Sequence, residues 1–295
     1  MLYGYTIMPD IIVPTVTPFT PEGKVDLEKL KEHVTHLVRK GVDVIFLNGT
    51  TGMGPALSPE EKLAVLKSVY DVTNRVIFQV GGLNLYDVVK LARESKDFDI
   101  VGVASYPPYY FPRMREDWVL RYFRDLCAAS PHPVYLYNYP LATGFDVSPA
   151  LAKEIGCLKG VKDTTQDLAH PLSLKRVLPD LKVYTGADTL VLPSMASGLD
   201  GVVSALGNYA PELLLRVRNL VNDGKLREAV EVQQVIAELI DLSRKYGSLA
   251  ANYVLVRELQ GHDVGVPRPP VYPVVDEARL RSELEPLKRR VESLK

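Results

Sequence analysis

The chain has 295 residues, 46% of them hydrophobic and 24% charged, with 20 Gly and 22 Pro. This composition excludes disordered, collagen-like and disulfide-scaffold chains, and a chain this long can bury most of its apolar surface without staples. Its 35 basic and 36 acidic residues give a net charge of −1, so nothing resembles the basic footprint of a nucleic-acid binder.

The runs Ile11–Val16, Val44–Leu47, Val76–Val80, Ile100–Ala104, Val134–Tyr137, Gly160–Lys162, Val183–Thr185 and Gly201–Ser204 are short and rich in Val or Ile. They read as strands buried on both faces. Helical stretches lie between them. Leu27–Arg39 carries Leu30, Val34, Leu37 and Val38 at helical spacing. Pro59–Val72 opens on Ser58-Pro-Glu-Glu61, a capping box with Pro at the first helical position. Tyr86–Ser95, Glu116–Ala129, Pro149–Ile155, Leu172–Leu178, Thr189–Ala196 and Pro211–Val221 follow. Eight strand–helix pairs predict a (β/α)₈ TIM barrel over residues 1–224, with a doubly wound open sheet as the alternative. After Asn222-Asp-Gly224 the alternation stops. Leu226–Lys245, Leu249–Gln260 and Glu277–Leu294 predict a C-terminal helical extension over residues 225–295, with Gly265-Val-Pro-Arg-Pro-Pro270 as the loop before its last helix.

Cys127 and Cys157 predict reduced thiols in a reducing compartment. Met1–Met8 has neither a basic nor an apolar leader region, and no apolar run approaches the roughly 18 residues of a membrane span. A soluble, cytoplasmic protein with no membrane partner is therefore expected. His33 and His36 on an outer helix, and His132, His170 and His262 near loops, are expected to be ordinary surface histidines. No metal-ligand spacing, GxGxxG or Walker A sequence is present, so neither a metal nor a nucleotide cofactor is expected.

In a barrel the chemistry lies at the C-terminal strand ends. Those ends carry Thr50 and Thr51, Tyr109 and Tyr110, Tyr137 and Asn138, Lys162 and Asp163, Gly186, and Ser204 to Asn208. Lys162 closes an interior strand. Burial there lowers a lysine's pKa, and the neutral amine is a nucleophile toward ketones; the plain alternative is a surface lysine at a strand end. Asn48-Gly-Thr-Thr-Gly52 suits a carboxylate or phosphate, or is simply a β-to-α turn. Tyr135 and Tyr137 share one parity and face the same side. A phenol at that strand end can move a proton or merely pack.

The strand-end lysine, the Gly-Thr-Thr-Gly turn, Tyr137-Asn-Tyr-Pro140 and Pro108-Tyr-Tyr110, in that order on eight β/α units, resemble the dihydrodipicolinate synthase / N-acetylneuraminate lyase superfamily of class I aldolases. The resemblance covers nearly the whole chain. It implies that Lys162 forms a Schiff base with a 2-oxo acid, with no cofactor beyond this covalent imine. It further implies that Tyr137 is the acid/base and that Thr50 and Thr51 bind the pyruvyl carboxylate and help position Tyr137. Thr51 and Tyr110 would hydrogen-bond Tyr137, and Tyr110 would come from a neighbouring subunit of a homo-oligomer, usually a tetramer in this superfamily.

Departures from the superfamily's patterns narrow the substrate. Ala142 stands where the dihydrodipicolinate synthases carry an Arg for the second substrate's carboxylate, and Thr189 where the sialic acid lyases carry Glu. Gly-Thr-Thr-Gly-Met-Gly-Pro, Tyr-Asn-Tyr-Pro and Val-Lys-Asp-Thr are most similar to the 2-keto-3-deoxygluconate aldolases of the branched Entner–Doudoroff route. That likeness implies reversible cleavage of 2-keto-3-deoxygluconate, and of its 6-phosphate, to pyruvate and an aldehyde. Tyr139, Thr164, Gly186 and Ala205 would line the sugar end. Arg113, and more weakly Arg244, would meet a phosphate. Another pyruvate lyase, synthase or dehydratase of the superfamily is the alternative, and a non-catalytic sugar-binding barrel is the reading from a different class.

Overall fold

The computed structural model describes residues 8–294. The expectation of no leader at the N-terminus falls largely outside them. Eight parallel strands close into one barrel in sequence order: β1 (Asp10–Pro14), β2 (Val44–Leu47), β3 (Val76–Gln79), β4 (Gly102–Ser105), β5 (Val134–Asn138), β6 (Leu158–Asp163), β7 (Lys182–Thr185) and β8 (Gly201–Val203), with β1 paired to β8. The TIM barrel, rather than the open sheet, is the fold. The intervening helices are α1 (Leu27–Arg39), α2 (Pro59–Tyr70), α3 (Leu85–Glu94), α4 (Glu116–Ala129), the short α5 (Pro140–Thr143), α6 (Pro149–Ile155), α7 (Ala169–Val177), α8 (Val191–Ala196) and α9 (Pro211–Asn222). Then come α10 (Leu226–Lys245), α11 (Ser248–Gln260) and α12 (Glu277–Ser293). The capping box forms at α2, where Ser58 and Glu61 bond reciprocally to each other's backbone N–H. Helix α7 starts three residues earlier than its apolar pattern suggests, and α5 was hidden by its shortness.

Strand parity divides the core. Outward side chains such as Val13, Ile45, Phe78, Val103 and Leu136 pack under the helices. Inward ones, Ile12, Val44, Phe46, Ile77, Ala104, Tyr135, Tyr137, Tyr184 and Val203, fill the barrel. Glycine makes room for the aromatic layer: a Cβ on Gly102 or Gly160 would lie 2.6 or 2.7 Å from the Tyr135 ring. Helices α10, α11 and α12 share a single apolar cluster with Ile11 of β1 and Val202 of β8. Among the described residues no helix is long and apolar enough to cross a membrane.

Two expectations are overturned. Cys127 and Cys157 form a disulfide, with Cα atoms 6.4 Å apart; α4, which ends beside Cys127, packs on α6, which ends beside Cys157. Nothing in the sequence showed that proximity, and the cysteines carry no message about a reducing compartment. Nor are the histidines ordinary surface residues. His33 is fully buried because it shares the inward face of α1 with Leu30, Val34 and Leu37. It bonds His262 at 2.8 Å and Asn208 at 3.0 Å. His36 bonds Gln260, His132 the carbonyl of Ser95, and His170 bonds Asp163 at 2.7 Å.

Candidate active site

Lys162 and Tyr137 are register partners on adjacent strands. Both point into the barrel near its C-terminal mouth because they share the inward parity of β6 and β5. The Lys162 amine lies 3.8 Å from the centroid of the Tyr137 ring and 5.0 Å from that of Phe46. The residue is 6% exposed. Burial brings its amine down from the ordinary lysine value to about 7, and the carboxylate charge of Asp188 opposes part of that fall. Half of the amine is then neutral near pH 7 without any base to deprotonate it.

Room for Lys162 depends on its neighbour. A Cβ on Gly186 would meet Thr164 Oγ1 at 2.1 Å and Lys162 Cε at 3.0 Å. The Thr164 hydroxyl is buried and acts on the Tyr137 phenol. Asp188 accepts from Ser204 Oγ at 2.5 Å. Its own pKa is raised, chiefly by burial, against the pull of Ser204, Lys162 and Arg244.

Tyr137 is 2% exposed and stacks on Tyr139, with centroids 5.8 Å apart and planes 10° from parallel. Burial pushes its phenol up to about 12, partly offset by the Thr50 and Thr164 hydroxyls. It is therefore a neutral phenol at pH 7. Thr50 Oγ1 is the hydroxyl at 3.1 Å from its oxygen. Of the two threonines expected to position Tyr137, Thr50 is the one that bonds its hydroxyl within the chain. The turn explains why. Asn48 has φ 58° and Met53 φ 55°. Met53 N–H donates to Thr50 O at 3.0 Å and Gly54 N–H to Gly49 O at 2.9 Å. A Cβ on Gly54 would fall 1.7 Å from Asn48 O, so only glycine closes this turn. The closure fixes which threonine faces β5, which alternation cannot tell.

The outward neighbours of the pair form a clamp. Asn138 donates to Asp163 at 3.1 Å and to Asp146 at 2.8 Å. Asp163 also accepts from Thr165 and His170. These bonds tie the ends of β5 and β6 together behind the reactive groups.

Thr50, Thr164, Gly186, Tyr137, Tyr139 and Lys162 thus gather as expected, and Ala205 begins the turn that follows Ser204. Thr51 is buried in the same turn. Tyr110 is 83% exposed, with φ 73°, and Arg113 is exposed with φ 58°. Both stand outside this group. Arg244 lies at the end of α10, and its charge acts on Tyr139 and Asp188. Asp188 and Phe46 were not singled out from sequence; the signal for Asp188 was its place in Gly186-Ala-Asp-Thr189 at the end of β7. Among the described residues no group of three or more His, Cys, Asp or Glu is arranged to hold a metal ion.

The arrangement can therefore hold a ketone against a neutral amine and a protonated phenol, among the buried hydroxyl of Thr164 and the Thr50 hydroxyl. Comparison with known proteins agrees with that chemistry. The model of the dihydrodipicolinate synthetase family matches residues 8–285. A Saccharolobus solfataricus protein named 2-dehydro-3-deoxy-phosphogluconate/2-dehydro-3-deoxy-6-phosphogalactonate aldolase is 53% identical over 290 residues, covering 98% of this chain and 99% of its own. A 2-dehydro-3-deoxy-D-gluconate/2-dehydro-3-deoxy-phosphogluconate aldolase of Thermoproteus tenax is 46% identical over 92% of this chain and 88% of its own. The solved structure of a Sulfolobus 2-keto-3-deoxygluconate aldolase in complex with D-KDPG matches with a TM-score of 0.96 at 53% identity, covering 97% of this chain and 98% of that one. With the family model matched over nearly its whole length, the chain belongs to the dihydrodipicolinate synthetase family.

Proposed function

We propose that this protein is a class I aldolase that reversibly cleaves 2-keto-3-deoxygluconate and its 6-phosphate to pyruvate and glyceraldehyde or its 3-phosphate. The observation that carries the reading is the buried Lys162 amine, brought down to about 7 and set 3.8 Å from the ring of a protonated tyrosine. The Thermoproteus relative bears both substrates in its name, and the Saccharolobus relative bears the phosphorylated one.

Neutral Lys162 attacks the C2 ketone and forms a carbinolamine. Tyr137 gives its proton to the departing hydroxyl, so water leaves and an iminium remains. The resulting phenolate is stabilised by the iminium beside it and by the Thr50 hydroxyl. It takes the C4 hydroxyl proton, the C3–C4 bond breaks, and its electrons pass into the iminium to give an enamine and the aldehyde. Protonation at C3 and hydrolysis release pyruvate and restore Lys162. Thr51 and Thr50 hold the pyruvyl carboxylate, and Thr164, Tyr139, Gly186 and Ala205 line the sugar end. The phosphate of the longer substrate meets the forked guanidinium of Arg113 from a neighbouring subunit, with Arg244 as a second cation. Tyr110 reaches Tyr137 across that same interface in a homotetramer. Exposed Tyr110, Phe111 and Trp118 support such an interface.

Borohydride reduction in the presence of pyruvate, followed by peptide mass spectrometry, tests the reading. A stable adduct on Lys162 is expected, with no cleavage by Lys162→Ala. An adduct on another lysine, or turnover by the alanine variant, overturns it.

A further inference from the structure

Two residues of the C-terminal extension reach the wall behind the Thr50–Thr51 turn, and the mechanism above leaves both unused. Tyr253 of α11 is 1% exposed, and its hydroxyl donates to Thr17 O at 2.7 Å. Thr17 Oγ1 in turn donates to Gly52 O at 2.7 Å. Gly52 has no slack, since a Cβ there would lie 2.8 Å from Thr15 O. Arg268, in the loop after α11, grips the far end of the same segment. It donates to both carboxylate oxygens of Glu61 at 2.7 Å, to Gly23 O at 3.0 Å and to Ala56 O, and lies 4.6 Å above the Phe19 ring. Glu61 is the capping-box residue that accepts from Ser58 N–H. Between the two grips, Met53 and Leu57 pack on Phe19. The loop cannot swing away freely, because Val266 bridges Phe19 and a Cβ on Gly265 would meet Phe19 O at 2.5 Å.

We infer that Tyr253 and Arg268 are positioning residues for the turn that binds the 2-oxo acid's carboxylate, so that the C-terminal extension sets affinity for pyruvate from outside the barrel. The inference rests on the aldolase reading for its ligand, but not for its geometry. Hydrogen bonds to main-chain carbonyls and a bidentate ion pair fix backbone position without touching substrate. Their loss leaves Lys162, held by β6, where it was, and reaches Tyr137 of β5 only through its Thr50 contact. Carboxylate binding therefore suffers more than the chemical step, which rests on Lys162.

The test uses the full-length protein as wild type, Tyr253→Phe, Arg268→Met and Arg268→Lys, with two readouts. The first is amide hydrogen exchange at Met53 and Gly54 against the barrel strands. The second is the dependence of borohydride trapping on pyruvate concentration. In Tyr253→Phe and Arg268→Met, exchange at the turn speeds up by about tenfold or more while the strands keep their protection. Half-saturation by pyruvate rises about 5–20-fold, with a limiting trapping rate within about threefold of wild type. Arg268→Lys recovers part of the loss. Unchanged exchange and half-saturation overturn the inference. So does a limiting rate that falls in step with thermal stability, the mark of a merely structural role. If wild type traps no pyruvate on Lys162, the aldolase reading fails, and turn exchange alone still decides whether Tyr253 and Arg268 hold the turn.

Discussion

The pH dependence of imine formation is the sharpest consequence of the site. An exposed lysine, with a pKa near 10.4, is neutral to only about 0.04% at pH 7. At a value of about 7, Lys162 is half neutral. Burial thus supplies roughly a thousandfold more nucleophile at pH 7. The same burial makes Asp188 informative, because its carboxylate is the charge that holds the amine up. Asp188→Asn removes the charge but keeps an oxygen for Ser204. The Lys162 pKa then falls further, and the acid limb of imine formation moves to lower pH.

The assay lets pyruvate react for a fixed short interval at each pH between 5 and 10. Cyanoborohydride then captures the imine, and the adduct on Lys162 is measured by mass spectrometry. Wild type should gain rate with pH up to a midpoint near 7 and then level. Asp188→Asn should show the same shape with a lower midpoint. A wild-type midpoint above about 9 would mean that burial does not tune the amine. A midpoint that rises in Asp188→Asn would refute the electrostatic part of the argument.

Other outcomes follow from the same geometry. Tyr137→Phe removes one oxygen and should cut kcat by roughly 10²–10⁴ with melting unchanged, measured by coupled pyruvate detection. Lys162→Met should stabilise the fold by about 2–4 kcal/mol at pH 7 in denaturant titrations. Because the folded lysine lies below its unfolded value of 10.5, the unfolded chain binds the extra proton between about 7 and 10.5, so wild-type stability rises across that window and the variant's advantage shrinks. Reducing Cys127–Cys157, which closes a span of 30 residues, should cost about 3–4 kcal/mol and lower the melting temperature by roughly 5–8 °C. His33, buried neutral with its pKa lowered to about 3, charges in the unfolded chain first; stability should fall as pH drops from about 6.5 toward 3, and His33→Gln should flatten that slope.

How much of this was legible in the sequence follows from the range of each interaction. The eight strands were visible because inward and outward faces are both apolar, and Lys162 was visible as the charge that breaks such a run. Parity put Tyr135 and Tyr137 on one side of their strand, and the likeness of Tyr137-Asn-Tyr-Pro140 to the superfamily's pattern picked out Tyr137. Thr50 and Thr51 could not be told apart, because the choice is made by left-handed Asn48 and Met53 and by the contact of Gly54 with Asn48 O. His33 has the spacing of Leu30, Val34 and Leu37 on the buried face of α1; its polar residue type points to the surface, but the helical phase is the better guide. Cys127 and Cys157, Lys162 and Asp188, and Thr17 and Tyr253 meet only across elements far apart in the chain. No local pattern carries such pairs. Their chemistry differs accordingly: strand parity delivers the reactive amine and phenol, while the groups that tune the amine and brace the carboxylate turn arrive by tertiary packing. On this division, substitutions at β5 and β6 should act chiefly on the chemical step, and substitutions in α11 and the loop beyond it chiefly on binding.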